Sequence, residues 1–359
     1  MMKNGKAFNT RLGRRTFLKI AGGAAAGILF APAIVRGATA GQVYIRTSGG
    51  SAEEGYKRAW YDPLLKDTGI EVVPTVIDPA KIVAMVLAGN VTLDITAQTA
   101  PELTIMARKG ILERIDYGRF TRTNKDDLDE ATEFWLVNTV YATVLGYNSA
   151  EFGGKHPGSW KDVWDVSAFP GRRMLQDAAA EYPNLEQALL ADGVSIDKLY
   201  PLDVDRAFKM LGAIRGNVVK WWDSGAVSAQ LLSDKVAVMG SIWESRANPL
   251  IAEGAPIAIE WNQAMRNIWA MGIIKGAPNT KLAYTALDYG SSPVVQAAIA
   301  REVLAAPGNR RAFEHLEPAV AAGLSTAPEH AKLGFVNNAA WWVDNLDMVR
   351  ERWREFLLQ

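Results

Sequence analysis

The chain has 359 residues, 49% of them hydrophobic, which is enough apolar material for one large domain or two ordinary ones with separate cores. Its formal charge is zero, but residues 1 to 40 hold seven basic residues (Lys3, Lys6, Arg11, Arg14, Arg15, Lys19, Arg36) and no acidic ones, so 32 of the 39 basic residues remain beyond them against 39 acidic ones; a mature chain with that acidic excess lacks the basic footprint that phosphate backbones require, and nucleic acid is not an expected partner. Cysteine is absent, which excludes disulfides, a thiolate nucleophile, iron–sulfur ligation and a lipidated N-terminal Cys, and the three histidines (His156, His315, His330) show no HExxH or HxH spacing that would build a metal site.

Residues 1 to 40 join that basic start to an apolar stretch from Ile20 to Ile34 and to Ala38-Thr39-Ala40 before Gly41, the pattern of a secretory signal cleaved after Ala40. Within it, Gly13-Arg14-Arg15-Thr16-Phe17-Leu18-Lys19 resembles the twin-arginine signal, with Gly13 where Ser or Thr is usual, so the twin-arginine export machinery is an expected partner. A membrane anchor is the weaker alternative, because spanning a bilayer takes about 20 strongly apolar residues and this stretch is shorter and rich in Ala and Gly. No later segment reaches spanning length without charges, so the mature chain is expected to be soluble, and without a Cys to carry lipid it suits a Gram-negative periplasm.

From Gly41 onward short β-branched runs alternate with longer helical stretches, which argues for parallel β-α-β units. Val43 to Arg46 reads as a first strand, Glu53 to Lys66 as a helix ending near Gly69, and Ile70 to Val76 as a second strand. Ile82, Val83, Val86 and Leu87 form a helical stripe ending at Gly89, Leu93 to Thr96 reads as a strand, and Pro101 starts a helix that stops at Gly110. In open sheets ligands bind beyond the carboxyl ends of strands, so Thr47 to Ser51 and Ala97 to Ala100 are expected to line a crevice, with Ser48 and Thr99 as candidate contacts. The charge run Lys125-Asp126-Asp127 with Asp129-Glu130 reads as a solvated helix start. A second α/β region begins near Asn148, after the strand-like run Thr139 to Tyr147, with Gly153-Gly154 and Pro157-Gly158 marking loops. Trp160 to Trp164 reads as a short helix, Arg172 to Leu175 as a strand, Asp203 to Ile214 as an amphipathic helix and residues 342 to 358 as a late helix.

Several stretches, taken in order, resemble the bacterial extracellular solute-binding proteins of family 1, particularly their spermidine/putrescine-binding branch. They are Lys66-Asp67-Thr68-Gly69-Ile70-Glu71-Val72, Lys109-Gly110-Ile111-Leu112-Glu113-Arg114-Ile115-Asp116, Ser159-Trp160-Lys161-Asp162-Val163-Trp164, Phe169-Pro170-Gly171-Arg172-Arg173, Met239-Gly240-Ser241-Ile242-Trp243 and Asn338-Ala339-Ala340-Trp341-Trp342. The resemblance implies an α/β, two-lobed periplasmic binding protein fold of type II, with the ligand cleft between lobes joined by crossing hinge segments. It places residues 41 to 148 with 270 to 308 in lobe one and residues 149 to 269 with 309 to 359 in lobe two. It further implies a monomer that binds a small molecule, delivers it to a membrane ABC permease and uses no cofactor.

In the polyamine branch aromatic rings sandwich the methylene chain and carboxylates meet the ammonium ends, as cation–π attraction and charge-assisted hydrogen bonds require. On that resemblance Trp243, Trp269 and Trp341 are candidate cleft aromatics and Glu181 the candidate carboxylate. Met271 departs from the pattern, standing where an aspartate grips an amine; Asp177, Glu244 or Glu260 is then needed as a substitute, or the ligand is amino-acid-like with a carboxylate clamped by Arg46 or Arg246. Trp60, Trp135, Trp221, Trp222 and Trp353 are read as packing residues. An exported hydrolase such as a glycosidase is the main rival: no GxSxG elbow or His cluster occurs, but paired carboxylates such as Asp177 and Glu181 do. A ferric-ion binder of the superfamily is disfavoured by the lack of a Tyr-Tyr pair, and a partner of a chemoreceptor or sensor kinase reads identically.

Overall fold

Where β-branched and aromatic residues run together the chain forms strands, and the computed structural model, which describes residues 40 to 47, 49 and 51 to 359, assembles ten of them into one sheet. The segment read as an export signal, apart from Ala40, and the candidate Ser48 lie outside the described residues. β1 (Gly41–Thr47), β2 (Ile70–Val76) and β3 (Ile95–Thr99) pair in parallel in the order β2-β1-β3, as the β-α-β spacing predicts. The helical stretch between β1 and β2 runs in three pieces, α-helical at Ser51–Tyr56 and Asp62–Thr68 with a π-helical turn at Lys57–Tyr61. Pro63 has no N–H to give a carbonyl one turn back, and the chain widens just before it while burying Trp60 and Tyr61. Gly69 closes the stretch in the left-handed region at φ 74°.

Beyond these lie β4 (Leu136–Asn148), β5 (Arg173–Gln176), β6 (Val218–Trp222), β7 (Met239–Trp243), β8 (Ile257–Ile273), β9 (Ala306–Pro307) and β10 (Phe335–Val336). The main sheet order is β2-β1-β3-β8-β4-β7-β5-β6. Only its flanks are parallel: β8 is antiparallel to β3 and β4, and β4 to β7. This corrects the expectation of parallel units throughout. β4 is buried at nearly every position, so it carries no alternation from which its direction could be read. The charge run at 125 to 127 is a single 3-10 turn capped by Asn124, and the chain leaves it extended at Leu128 instead of entering a helix. The late helix is longer than expected, Ala339–Leu358, because the Asn338 side chain accepts from the Trp341 N–H and starts it one turn early.

Two sets of buried residues flank the long strands. One gathers Ile45, Trp60, Leu64, Leu136, Met271 and Leu287 with the neighbouring cluster of Leu103, Trp135 and Ala270; the other gathers Trp160, Leu175, Leu211, Trp342 and Trp353 with the cluster of Ala142, Trp222 and Ile242. β4 passes from the first set to the second between Val140 and Ala142, and β8 between Ala270 and Met265. Their ladder is regular from Thr139–Trp269 to Thr143–Met265, then jumps to Leu145–Glu260. The extra residues on β8 form a bulge with Gln263 at φ 64°, held by Trp160, whose backbone N–H and indole N–H donate to the Gln263 side-chain and backbone oxygens at 3.1 Å each. Trp60, Trp135, Trp222 and Trp353 are all buried and Trp221 packs against the second core, so the packing role read for these tryptophans is what the structure shows.

At Gly240, φ is 153° and a Cβ would lie 1.8 Å from the Met174 carbonyl oxygen on the paired strand β5. Gly240→Ala is therefore expected to cost about 3 kcal/mol of stability from overpacking and backbone strain. A denaturant midpoint equal to that of the wild type would contradict this account of the β5–β7 contact.

Candidate functional site

Directly opposed residues of antiparallel strands share a face of the sheet, so the register alone defines one continuous surface. Thr99 of β3 faces Trp269 of β8, which faces Thr139 of β4; Asn267 of β8 faces Tyr141 of β4; and Thr143 of β4 faces Trp243 of β7. These positions fall where β4 and β8 change cores. The ring of Tyr141 meets that of Trp243 edge-on at 5.9 Å, and Trp222 backs Trp243 at 5.2 Å. Trp269 is half-buried and packs on the first core. Among the described residues, the buried indole N–H of Trp243 and the side-chain oxygen of Asn267 make no hydrogen bond. Each such atom costs about 1–3 kcal/mol when left without a partner, a cost that a polar group brought to this surface would relieve.

Glu181, in the loop after β5, accepts a short hydrogen bond from the Tyr141 hydroxyl. It keeps some surface, yet protein surrounds its carboxyl group; burial, reinforced by the neighbouring Glu102 carboxylate and only partly offset by Tyr141, pushes its pKa up to about 8. At the opposite end stands Arg246, on the first turn of the helix Glu244–Ala252 that follows Trp243. Arg246 and Trp243 pack onto Gly225, where a Cβ would lie 2.7 Å from the Arg246 Nε and 2.7 Å from the Trp243 ring. Burial lowers the pKa of Arg246, and nearby Tyr56 opposes that shift; the Tyr56 hydroxyl accepts from Asn138 at 3.0 Å and lies 3.5 Å from Thr139. Arg246, Trp243, Tyr141 and Glu181 thus follow one another as a cation, two rings and a carboxyl group.

The remaining candidates divide. Thr99 lies on this surface opposite Trp269: it ends β3, caps the helix Ala100–Arg108 and donates to Glu102 at 3.0 Å. Arg46 faces Thr96 across the β1–β3 pair and gives its Nη1 and Nε to the carbonyls of Ala97 and Ile77 at 2.6 and 3.3 Å, so it braces strand ends and is not placed beside Trp243. The Asp177 carboxylate accepts from the Trp353 indole at 3.1 Å and from the Ala179 N–H at 2.7 Å, which commits it to its own loop and the C-terminal helix. Trp341 packs against Tyr200 and Trp342, in contact with the second core and not with Trp243. Met271 is buried in the first core between Ala97 and Leu136 and offers no polar atom to a ligand. Of its named substitutes, Glu244 is fully buried, with Ser325 donating its N–H at 3.4 Å. Glu260 accepts from the Asn262 N–H at 2.7 Å beside the β8 bulge.

Tyr141, Tyr56, Asn267, Glu102 and Gly225 were missed by sequence reasoning. Only Glu102 left a signal, since Thr99-x-x-Glu102 has the form of a helix capping box, which says how a helix begins and nothing of a ligand. Among the described residues, no group of three or more acidic or histidine side chains could hold a metal ion, and no helix is long and apolar enough to cross a membrane.

A family described as bacterial extracellular solute-binding protein matches residues 59–321. The chain is 30% identical to the gamma-aminobutyric acid-binding protein of Pseudomonas aeruginosa over 311 residues, 85% of this chain and 87% of the relative. It is 24% identical to spermidine/putrescine-binding periplasmic protein 1 of Haemophilus influenzae over 242 residues, 64% and 65% of the two chains. The structure of an ABC transporter substrate-binding protein from Bradyrhizobium japonicum superposes with a TM-score of 0.82 at 34% identity, covering 88% of this chain and 99% of that one. The α/β, two-lobed periplasmic binding protein fold expected from the sequence is the fold observed.

Glu181 and Glu244 are both raised by burial from 4.5 to about 8. The folded chain holds these protons more tightly than the unfolded chain, so the stability that these two groups contribute is fully present below about pH 4.5 and declines as the pH rises through the interval to about 8. Melting temperatures of the unliganded protein should fall across that interval, and Glu181→Gln, which has no proton to lose, should flatten the slope. An identical slope in the variant would remove Glu181 from the account.

Proposed function

The chain belongs to the bacterial extracellular solute-binding proteins, the solute-capturing components of ABC transporters, and we propose that its solute is a small zwitterion with an ammonium group at one end and a carboxylate at the other. The order Arg246, Trp243, Tyr141, Glu181 carries this reading. Arg246 suits a carboxylate through its planar fork of donors, the two rings suit a short methylene chain, and Glu181 receives the ammonium once its proton leaves. The γ-aminobutyrate-binding relative supports the same chemistry. With Met271 packed in the first core, the second carboxylate that a diamine needs does not come from that position. A polyamine is the second reading, supported by the Haemophilus relative and by Glu102, whose carboxylate lies near Glu181.

In this reading the lobes are the two core sets, and β4 and β8 hinge near Tyr141 and Asn267, with closure holding Arg246 beside Tyr56 as it stands in this structure. The loaded monomer docks on a membrane permease after twin-arginine export to the periplasm, and it performs no catalysis; turnover of aryl glycosides by the purified protein would revive the hydrolase alternative.

Thermal shifts of residues 41 to 359 against γ-aminobutyrate, other ω-amino acids, putrescine, spermidine and dicarboxylates test the proposal. A solute at a hundred times its Kd adds about 2.7 kcal/mol to the folded state. Stabilisation by ω-amino acids is expected, and Trp243→Ala should weaken that binding by about 2 kcal/mol, or thirtyfold, as loss of a central aromatic anchor does. Stabilisation by diamines alone would move the assignment to the polyamine reading. Affinity unchanged in both Trp243→Ala and Trp269→Ala would move the site elsewhere.

A further inference from the structure

We propose that Arg350, far from the site in sequence, sets the charge pattern of the accepted solute by cancelling the carboxylate of Glu102. The inference rests on the zwitterion reading above and adds to it the residue that selects against diamines.

Glu102 stands on the first turn of the helix Ala100–Arg108 and is the second acidic group at this surface. Its electrostatic influence reaches Glu181, Tyr141 and Tyr182, so it lies beside the group assigned to the ammonium; it also reaches Arg46, whose own hydrogen bonds go to backbone carbonyls. Left alone, two neighbouring carboxylates make a site for two positive charges. Here Glu102 is occupied: Arg350, on the C-terminal helix Ala339–Leu358, donates Nη2 to its Oε1 at 3.2 Å, and Thr99 donates to its Oε2 at 3.0 Å. Both partners of the ion pair are largely sheltered, with side chains 36% and 28% exposed, so solvent screens it less than a surface pair. Arg350 is the built-in counter-ion of Glu102, and one carboxylate is left for one ammonium.

The same two helices are joined a second time, by Arg108 to Asp344 at 2.7 Å, with side chains 58% and 63% exposed. That pair braces the helices without touching Glu102. It separates a structural contribution of Arg350 from a contribution to selectivity.

The experiment measures Kd by calorimetry for γ-aminobutyrate and putrescine in the wild type, Arg350→Met, Arg350→Lys and Arg108→Ala. Arg350→Met keeps the packing stem and removes the charge, and is expected to shift the ratio of affinities toward putrescine by about tenfold, because an uncancelled anion favours the dication and repels the carboxylate. Arg350→Lys should restore the wild-type ratio, and Arg108→Ala should leave it unchanged. Equal losses for both solutes in Arg350→Met, or a shift of the same size in Arg108→Ala, would reduce Arg350 to a brace and overturn the inference while leaving the zwitterion reading intact. A wild type that binds putrescine in preference to γ-aminobutyrate, or that binds neither, would overturn the reading of the solute and this inference with it.

Discussion

The antiparallel ladder between β4 and β8 is the constraint on which everything else in this protein depends. Two strands of 13 and 17 residues must serve two cores, and each core fixes which residues face it. Within a regular ladder side chains alternate strictly, so a strand cannot satisfy two differently oriented cores without a break in register. The break is the β8 bulge at Gln263, pinned by Trp160, and it falls just beyond the paired segment from Thr139 to Thr143 that carries the site. The regular segment holds residues of both halves at fixed spacing, and Trp269, Asn267, Tyr141 and Trp243 are all found there or directly beside it.

The chemistry of the site follows from burying polar groups at that crossing. A carboxyl group enclosed by tyrosines and close to a second carboxylate holds its proton, and an arginine packed between a glycine and an indole is partly stripped of water. Both are costly arrangements in isolation, and a ligand of matching charge relieves them. The indole N–H of Trp243 and the Asn267 oxygen add a donor and an acceptor on the same face. Gly225 matters for a reason of space alone: any side chain there would push Arg246 and Trp243 out of line.

Much of the first half of the fold was legible, because parallel strands joined by helices announce themselves through alternating runs, and β2 occupies the range the pattern gave. β4 was legible as a strand but not as an antiparallel one, since burial on both faces erases the alternation that would have oriented it. Among the candidate site residues, resemblance pointed to Trp243, Trp269, Trp341 and Glu181, and the chemistry of a carboxylate clamp to Arg246, residues whose types stand out against their surroundings. Tyr141 did not stand out: it is one aromatic in a long apolar run, and only its register opposite Asn267 and its hydroxyl on Glu181 give it meaning. Arg46 and Asp177 stood out equally, and the structure gives them hydrogen bonds with backbone carbonyls and with Trp353, because a charged residue near a strand end has many partners to choose from.

The second core is closed by the helix Ala339–Leu358. Trp342, Leu346, Val349, Trp353 and Phe356 all come from the C-terminal helix, and Trp342 is tied to Glu186 by a 2.8 Å hydrogen bond from its indole. Folding during synthesis proceeds from the N-terminus, but here the packing of residues near 160 to 215 waits for the helix Ala339–Leu358 to be made. The buried residues of the first core end at Leu324, so all of them are made before those that complete the second. A chain stalled before that helix leaves the second core open at Tyr182, whose ring otherwise lies 4.6 Å from that of Trp342, and apolar surface exposed in this way invites aggregation.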